Sequence, residues 1–234
     1  MESVTTITFF RYGTMWSRIW AFGMMQFAHP RLAGVAGLKF YKLMGSGKAG
    51  FNPWPDWSVY ALVQVWENEK AADAFFTQHS LMDAYRRKVD ESWTLYMKTL
   101  KVKGEWNGQN PFPENKNLVP EINYLAVITR ATIKSKFLLR FWKYVPHSQK
   151  GLQENKGLLY NKGIGEVPFR NMATFSLWTD RESLQKFAYG AKAHKQAISL
   201  THKLQWYKEE LFARFQPYRS EGSWEGVSPL DFQS

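Results

Sequence analysis

The sequence predicts an α+β fold in which two ferredoxin-like βαββαβ repeats close into one fused dimeric α/β barrel. Three observations lead there. The chain repeats itself: Gly37-Leu38-Lys39-Phe40-Tyr41-Lys42-Leu43-Met44-Gly45 lies without a gap over Gly157-Leu158-Leu159-Tyr160-Asn161-Lys162-Gly163-Ile164-Gly165, and Val65-Trp66 with Phe75 recurs as Leu177-Trp178 with Phe187. Shorter matches keep the same order, pairing Arg11 with Arg130, Arg18-Ile19-Trp20 with Arg140-Phe141-Trp142, Trp93 with Trp206, and Gly104-Glu105-Trp106 with Gly222-Ser223-Trp224. Between the copies, residues 107–121 (NGQNPFPENKNLVPE) hold too much Asn, Gly and Pro for a strand or helix and read as a linker. The repeats are therefore 1–106 and 122–234.

Each element follows from local composition. Residues 5–11 and 124–132 are β-branched and aromatic, as strands are, while 16–28 and 137–144 have helical periodicity. Gly45-Ser46-Gly47-Lys48-Ala49-Gly50 fits G-x-G-x-x-G, but Phe51-Asn52-Pro53-Trp54-Pro55 follows, and prolines at alternate positions cannot open the helix that a dinucleotide site needs. A glycine turn leading into a loop is expected instead. Residues 60–66 and 172–178 read as strands, and 68–80 and 180–205 as helices, with Asp180 as N-cap of the second. A βαββαβ unit covers one sheet face with helices and leaves the other bare, so two units bury their bare faces together.

Composition narrows the function. Of 234 residues, 44% are hydrophobic and 17% aromatic, enough for a sizeable core. A formal net charge of +11 points to an anionic neighbour. Zero Cys removes disulfides, Cys-ligated zinc, iron–sulfur clusters and thiolate-ligated haem. The first twelve residues lack a basic segment ahead of an apolar stretch and do not read as a secretory signal, so a cytoplasmic location is expected. The apolar run 19–30 is too short to span a bilayer, which takes about 20 residues. Trp16, Trp20, Phe22, Met24, Met25 and Phe27 beside Arg11, Arg18 and Arg31 would nevertheless suit a peripheral contact with the inner membrane, the alternative being a core helix.

Among the histidines, none sits at the i, i+4 spacing that clamps a metal on one helix. His29 and His147 adjoin prolines and read as solvent-facing, and His79 as packed among Phe75, Phe76 and Tyr85. His194 stands out, because Leu184, Phe187, Ala191, His194, Ile198 and Thr201 step by three and four along one helical face. Gly190, Ala191, Ala193 and Ala197 around it are small and leave room for a flat macrocycle, although a satisfied core histidine reads equally well from these residues. No acid–base carboxylate pair or serine nucleophile motif is evident. The basic runs 85–88 and 98–103 lack the aromatic-and-basic strand of an RNA reader, so no nucleic-acid partner is expected.

Longer blocks carry a resemblance. Residues 37–47 (GLKFYKLMGSG) with Gly50-Phe51, Pro53, Pro55 and Val59-Tyr60-Ala61, then Glu91-Ser92-Trp93-Thr94, Thr129-Arg130-Ala131-Thr132, Gly163-Ile164-Gly165-Glu166-Val167-Pro168-Phe169, Thr174-Phe175-Ser176-Leu177-Trp178 and the tail from Glu209 to Leu230 together resemble the spheroidene monooxygenase family. The likeness runs from about residue 9 to 230; Asn52-Pro53-Trp54-Pro55-Asp56-Trp57 is bulkier than the family pattern. The resemblance implies a monooxygenase using haem b iron that oxidises C2 of an acyclic carotenoid by two hydroxylations to a ketone. It takes oxygen from O2 and electrons from a reductase through a ferredoxin. It also implies the dimeric α/β barrel of aldoxime dehydratases and chlorite dismutases, which hold haem through a helical His of the C-terminal repeat. His194 matches that placement and becomes the expected iron ligand and catalytic residue. Arg130, Arg140 and Lys162 are the expected propionate partners, and Trp142, Phe175 and Trp178 the expected pocket walls. The rivals are a haem-free module that binds an apolar ligand and an aldoxime dehydratase-like lyase on the same scaffold; an internally paired barrel suits a monomer or a homodimer.

Overall fold

The computed structural model describes residues 2–50, 52–148, 152, 155–190, 206–228 and 230. In the first half, β1 (Val4–Arg11) leads to α1 (Met15–Phe27) and the short α2 (His29–Ala33), then to β2 (Leu38–Lys48) and β3 (Asn52–Trp66), α3 (Glu69–Gln78) and α4 (Ser80–Arg86), and β4 (Glu91–Gly104). The second half repeats this with β5 (Leu125–Ile133), α5 (Leu138–Ser148), β6 (Leu158–Val167), β7 (Asn171–Trp178), α6 (Arg181–Gly190) and β8 (Tyr207–Gly222). Residues 105–124 between them form neither helix nor strand.

The strands form a closed barrel in the order β1-β3-β2-β6-β7-β5-β8-β4, each neighbouring pair antiparallel. The order β2-β3-β1-β4 within one half and β6-β7-β5-β8 within the other is the ferredoxin-like arrangement twice over. The expected fused dimeric α/β barrel is the fold observed. Two seams join the halves and they are unequal. β4 and β8 pair along nearly their whole length, from Trp93 opposite Gly222 to Gly104 opposite Leu211, whereas β2 and β6 share only Gly45 with Gly165 and Ser46 with Ile164.

Alternation along each strand sends one set of side chains into the barrel and the other beneath the helices. The interior is filled by Ile7, Phe9, Val63, Trp93, Trp106, Phe112, Ile128, Phe175 and Phe215 among others. Phe9 sits at the centre of an aromatic cluster with ring centroids 5.1 Å from Tyr160, 5.4 Å from Phe175 and 5.8 Å from Trp93 and Trp224. The linker contributes Phe112 to this core, its ring against Phe40, Trp106 and Phe215.

Several local expectations change. The segment with Pro53 and Pro55 is strand, not loop: Ser46 pairs with Asp56 and Gly47 with Pro55, while β1 joins β3 only from Val59 onward. Residues 52–57 thus have one strand neighbour among the described residues, and an edge tolerates prolines that a doubly paired strand would not. The helix expected over 68–80 breaks at His79, whose backbone is extended and whose Nδ1 accepts the Leu81 amide at 3.2 Å, capping α4. His147 falls within α5, not in a loop. Asp180 does cap its helix, accepting the Ser183 amide at 2.7 Å. The helix expected to reach residue 205 is described only to Gly190, and His194 and His202 lie outside the described residues. Among the described residues no helix is long and apolar enough to cross a membrane.

Candidate functional site

Strand registers fix which residues of the two halves correspond. Val4 faces Trp66 as Leu125 faces Trp178, so Phe9 corresponds to Arg130 and Arg11 to Thr132. Sequence matching alone, which sets Arg11 against Arg130, is out of register by two residues. Correct correspondence exposes an asymmetry on the helix-facing side of the sheets. In the first half one row across four strands is Leu43, Leu62, Thr8 and Thr94, all buried. Its counterpart is Gly163, Thr174, Thr129 and Phe212. There Thr129 is exposed and Phe212 is 40% exposed, although Thr8, the same residue type as Thr129, is wholly buried. One row further, Phe10 corresponds to Ala131.

Gly163, Thr174 and Ala131 are smaller than their counterparts Leu43, Leu62 and Phe10, while Phe212 stands in place of Thr94, and among the described residues the second sheet presents a shelf where the first is packed. A Cβ built on Gly163 meets no heavy atom within 4 Å among the described residues. Beside the shelf, Arg214 faces Val127 and lies near Phe212, with its guanidinium 5.9 Å from that ring. Its Nε, like that of Arg130, is buried with no hydrogen-bond partner among the described residues, but unlike Arg130 it has no ion pair among them either. A buried cationic donor left unpaired is costly unless an acceptor completes it. A flat apolar group with acidic substituents matches these features, and haem is such a group.

The shelf continues into a cavity of about 250 Å³ lined by Phe22 and Met25 of α1, Trp57 and Tyr60 of β3, Trp142 of α5, and Gly163, Gly165, Phe169 and Met172 around the β6–β7 hairpin. The cavity crosses the weak β2–β6 seam and so belongs to both halves. Burial pushes the Tyr60 phenol up to about 12, with the Asp56 carboxylate adding to the effect, so it remains a proton donor at the cavity wall.

The sequence-predicted site residues divide. Trp142 lines the cavity, and its Nε1 donates to the Phe169 carbonyl at 3.2 Å. Arg140 is exposed on the same helix. Phe175 and Trp178 do not share a pocket: three residues apart on a strand they point to opposite faces, Phe175 into the barrel core and Trp178 under α6 against Phe187. Arg130 points into the barrel, where Glu209 and Glu166 neutralise it, so it is not an available propionate partner. Lys162 is likewise committed, to Asp56 at 2.7 Å.

That last pair has a counterpart, since Lys42 of the first half bonds Glu166 of the second at 2.7 Å, and Trp106 Nε1 donates to the same carboxylate at 2.9 Å. Two reciprocal ion pairs, each with its lysine from one half and its acid from the other, thus clamp the short seam. Burial alone would raise the Asp56 carboxyl, but hydrogen bonds from Lys162 and Ser58 outweigh it and hold it below the usual carboxylate range. Sequence reasoning missed the shelf and Arg214. The signal was a position-by-position comparison of the repeats, readable only once the register is known.

Comparison with known proteins agrees with this architecture. No family model matches the chain. The chain is 34% identical to the spheroidene monooxygenase of Cereibacter sphaeroides over 98% of its length and 71% of that protein. It is 34% identical to the spheroidene monooxygenase of Rhodobacter capsulatus over 97% of its length and 95% of that protein. Among solved structures, an aldoxime dehydratase matches 92% of this chain and 81% of its own with a TM-score of 0.61 at 11% sequence identity, a likeness of fold.

Proposed function

The chain belongs to the spheroidene monooxygenase family, and from this premise we propose that it oxidises C2 of an acyclic carotenoid, with haem b held on the shelf of the second half. The activity class follows from the family. What supports the place of the cofactor is one observation: in the row Gly163, Thr174, Thr129 and Phe212 the last two are exposed and the first two half-buried, where the first-half counterpart is buried throughout.

Haem bound there would supply the activation of O2. His194 is the proposed iron ligand, with Arg214 and Arg140 as charge-assisted partners for the propionates. The remaining roles belong to the cavity. A polyene end enters between Phe22, Trp57, Trp142 and Phe169, whose apolar walls exclude water and align the chain toward Gly163 and Met172 at the shelf. Each round takes one O2, two electrons and two protons, inserts one oxygen into a C–H bond at C2 and releases one water. A second round on the same carbon gives a geminal diol that loses water to the ketone. The electrons come from a ferredoxin and its reductase.

The test is an absorption spectrum and pyridine haemochrome assay of protein from cells supplied with a haem precursor, for the wild type and His194→Ala. About one haem per chain, lost in the variant, is expected. Folded wild-type protein without haem would overturn the assignment and leave an apolar-ligand-binding module. Turnover of acyclic carotenoid must then depend on ferredoxin and reductase, whereas conversion of an aldoxime without electrons would indicate a lyase.

A further inference from the structure

The outward face of α1 is unlike that of a solvated helix. Met15, Trp16, Ile19, Phe22 and Phe27 are exposed on it, Trp16 by 82% and Phe27 by 72%, while Ser17, Ala21 and Met24 on the opposite face are buried. The residues expected from sequence to form one anchor therefore sort into two faces, and Met24 belongs to the core. The outward set includes Gln26 and no charge. An apolar patch continues from it: Phe22 packs on Trp57 with ring centroids 5.0 Å apart, and Trp54, exposed at the hairpin tip, meets Phe169, which meets Trp142 of α5. Leu139, also on α5, is 91% exposed. A contiguous exposed apolar surface of this kind marks an interaction site.

Charge indicates what covers it. Residues 12–55 contain five Lys and Arg and no Asp or Glu, and residues 122–153 contain six and none. These two segments, which supply α1 and α5, carry the whole formal net charge of +11, and the rest of the chain is balanced. Lys39, Lys42 and Arg130 are paired with acids, but Arg18, Arg31, Lys48, Lys136 and Lys143 have no ion pair among the described residues. A second copy of the chain would set these cations against each other. An anionic bilayer satisfies both features, with aromatic side chains at the interfacial level and cations at the headgroups.

We propose that the face formed by α1, the tip of the β2–β3 hairpin and α5 docks on an anionic lipid bilayer, so that the cavity between Phe22, Trp57, Trp142 and Phe169 opens into the membrane. Docking rests only on this surface; use of the opening as the substrate entrance rests on the carotenoid reading above. The cavity mouth and the patch share Phe22, Trp57 and Phe169, so a lipid-dissolved polyene passes from bilayer to shelf without crossing water.

Flotation with carotenoid-free vesicles of phosphatidylcholine, with or without phosphatidylglycerol, tests the docking apart from any chemistry. Binding to the anionic vesicles that weakens with salt is expected. Trp16→Ser combined with Phe27→Ser should weaken it at least about tenfold, and Arg31→Gln combined with Lys143→Gln should do the same. Both variants alter exposed side chains, so circular dichroism and haem content should stay at wild-type values. Equal binding to uncharged vesicles, no binding to either, or binding indifferent to both variants would overturn the proposal. So would a sedimenting dimer that Trp16→Ser with Phe27→Ser dissolves, since the face would then belong to a second copy. Docking by wild-type protein that holds no haem would count against the oxygenase reading alone.

Discussion

At the scale of single residues, the duplicated fold carries its own control, because every position on the shelf has a partner in the other half where packing won. Thr174 stands where the first half has Leu62, which is wholly buried. Thr174→Leu restores the packed residue on a sheet already shaped to carry it, and Gly163→Leu restores Leu43. Each adds apolar volume where space is open, so the apoprotein should keep its melting temperature or gain up to about 1 kcal/mol. Haem per chain, measured by pyridine haemochrome, should nevertheless fall severalfold. Stoichiometric haem in the double variant would place the cofactor elsewhere. His194 was legible as a candidate because helical periodicity is local, and the small residues around it are adjacent in sequence. Strand alternation also sends Phe175 and Trp178 to opposite faces, which rules out the single pocket expected of them. The commitments of Arg130 to Glu209 and Glu166, and of Lys162 to Asp56, were not, because each acid arrives from a different element and partly from the other half.

At the scale of elements, the seams determine where backbone and charge are constrained. Gly104 and Gly222 close the two ends of the β4–β8 pairing at φ of 90° and 83°, and a Cβ on either would fall inside contact distance of a backbone carbonyl, that of Glu210 or Ser92. Neither strand can withdraw without breaking the seam, so Gly104→Ala and Gly222→Ala should each cost about 2–4 kcal/mol, read as a lowered urea midpoint with unchanged slope. An effect under half a kcal/mol would mean that the strand ends are looser than the registers imply. At the other seam, Asp56→Asn leaves a largely buried Lys162 ammonium without its anion and should cost about 1–3 kcal/mol. Because the folded Asp56 carboxyl titrates below its unfolded range, its stabilisation is complete above that range and is lost as pH falls through the depressed folded value. The wild type should therefore lose more stability than Asp56→Asn on acidification through the lower carboxylate range, and parallel curves would remove the pair from the account. Element identity was largely readable from composition and turn signals. The strand through Pro53 and Pro55 was not, because its tolerance depends on having a single neighbour, a fact of topology.

For the whole molecule, the internal repeat and the linker were enough to give two sheets closed on each other, since two bare faces in one chain have no cheaper way to be buried. What the repeat could not give was the inequality of the two closures or the division between the halves. The first half packs its sheet beneath α1 to α4 through Phe10, Leu62, Phe75 and Tyr85, while among the described residues the second leaves a row open. The cavity lies across the short β2–β6 seam, held by two residue pairs and two ion pairs, and opposite it the β4–β8 seam is continuous. A barrel so built should open at its shorter seam first, which is also the place where an apolar chain reaches the shelf. Native-state hydrogen exchange reads this directly. Amides of Gly45, Ser46, Ile164 and Gly165 should exchange through a sub-global opening, at least about tenfold faster than those of Leu95, Met97, Ala213 and Phe215, which should exchange only on global unfolding. Asp56→Asn should widen that gap by releasing one of the two clamps, without changing exchange in β4 and β8 beyond its effect on global stability. Uniform protection around the barrel would mean that the seams are energetically equal, and the substrate path would then have to be sought outside the β2–β6 junction.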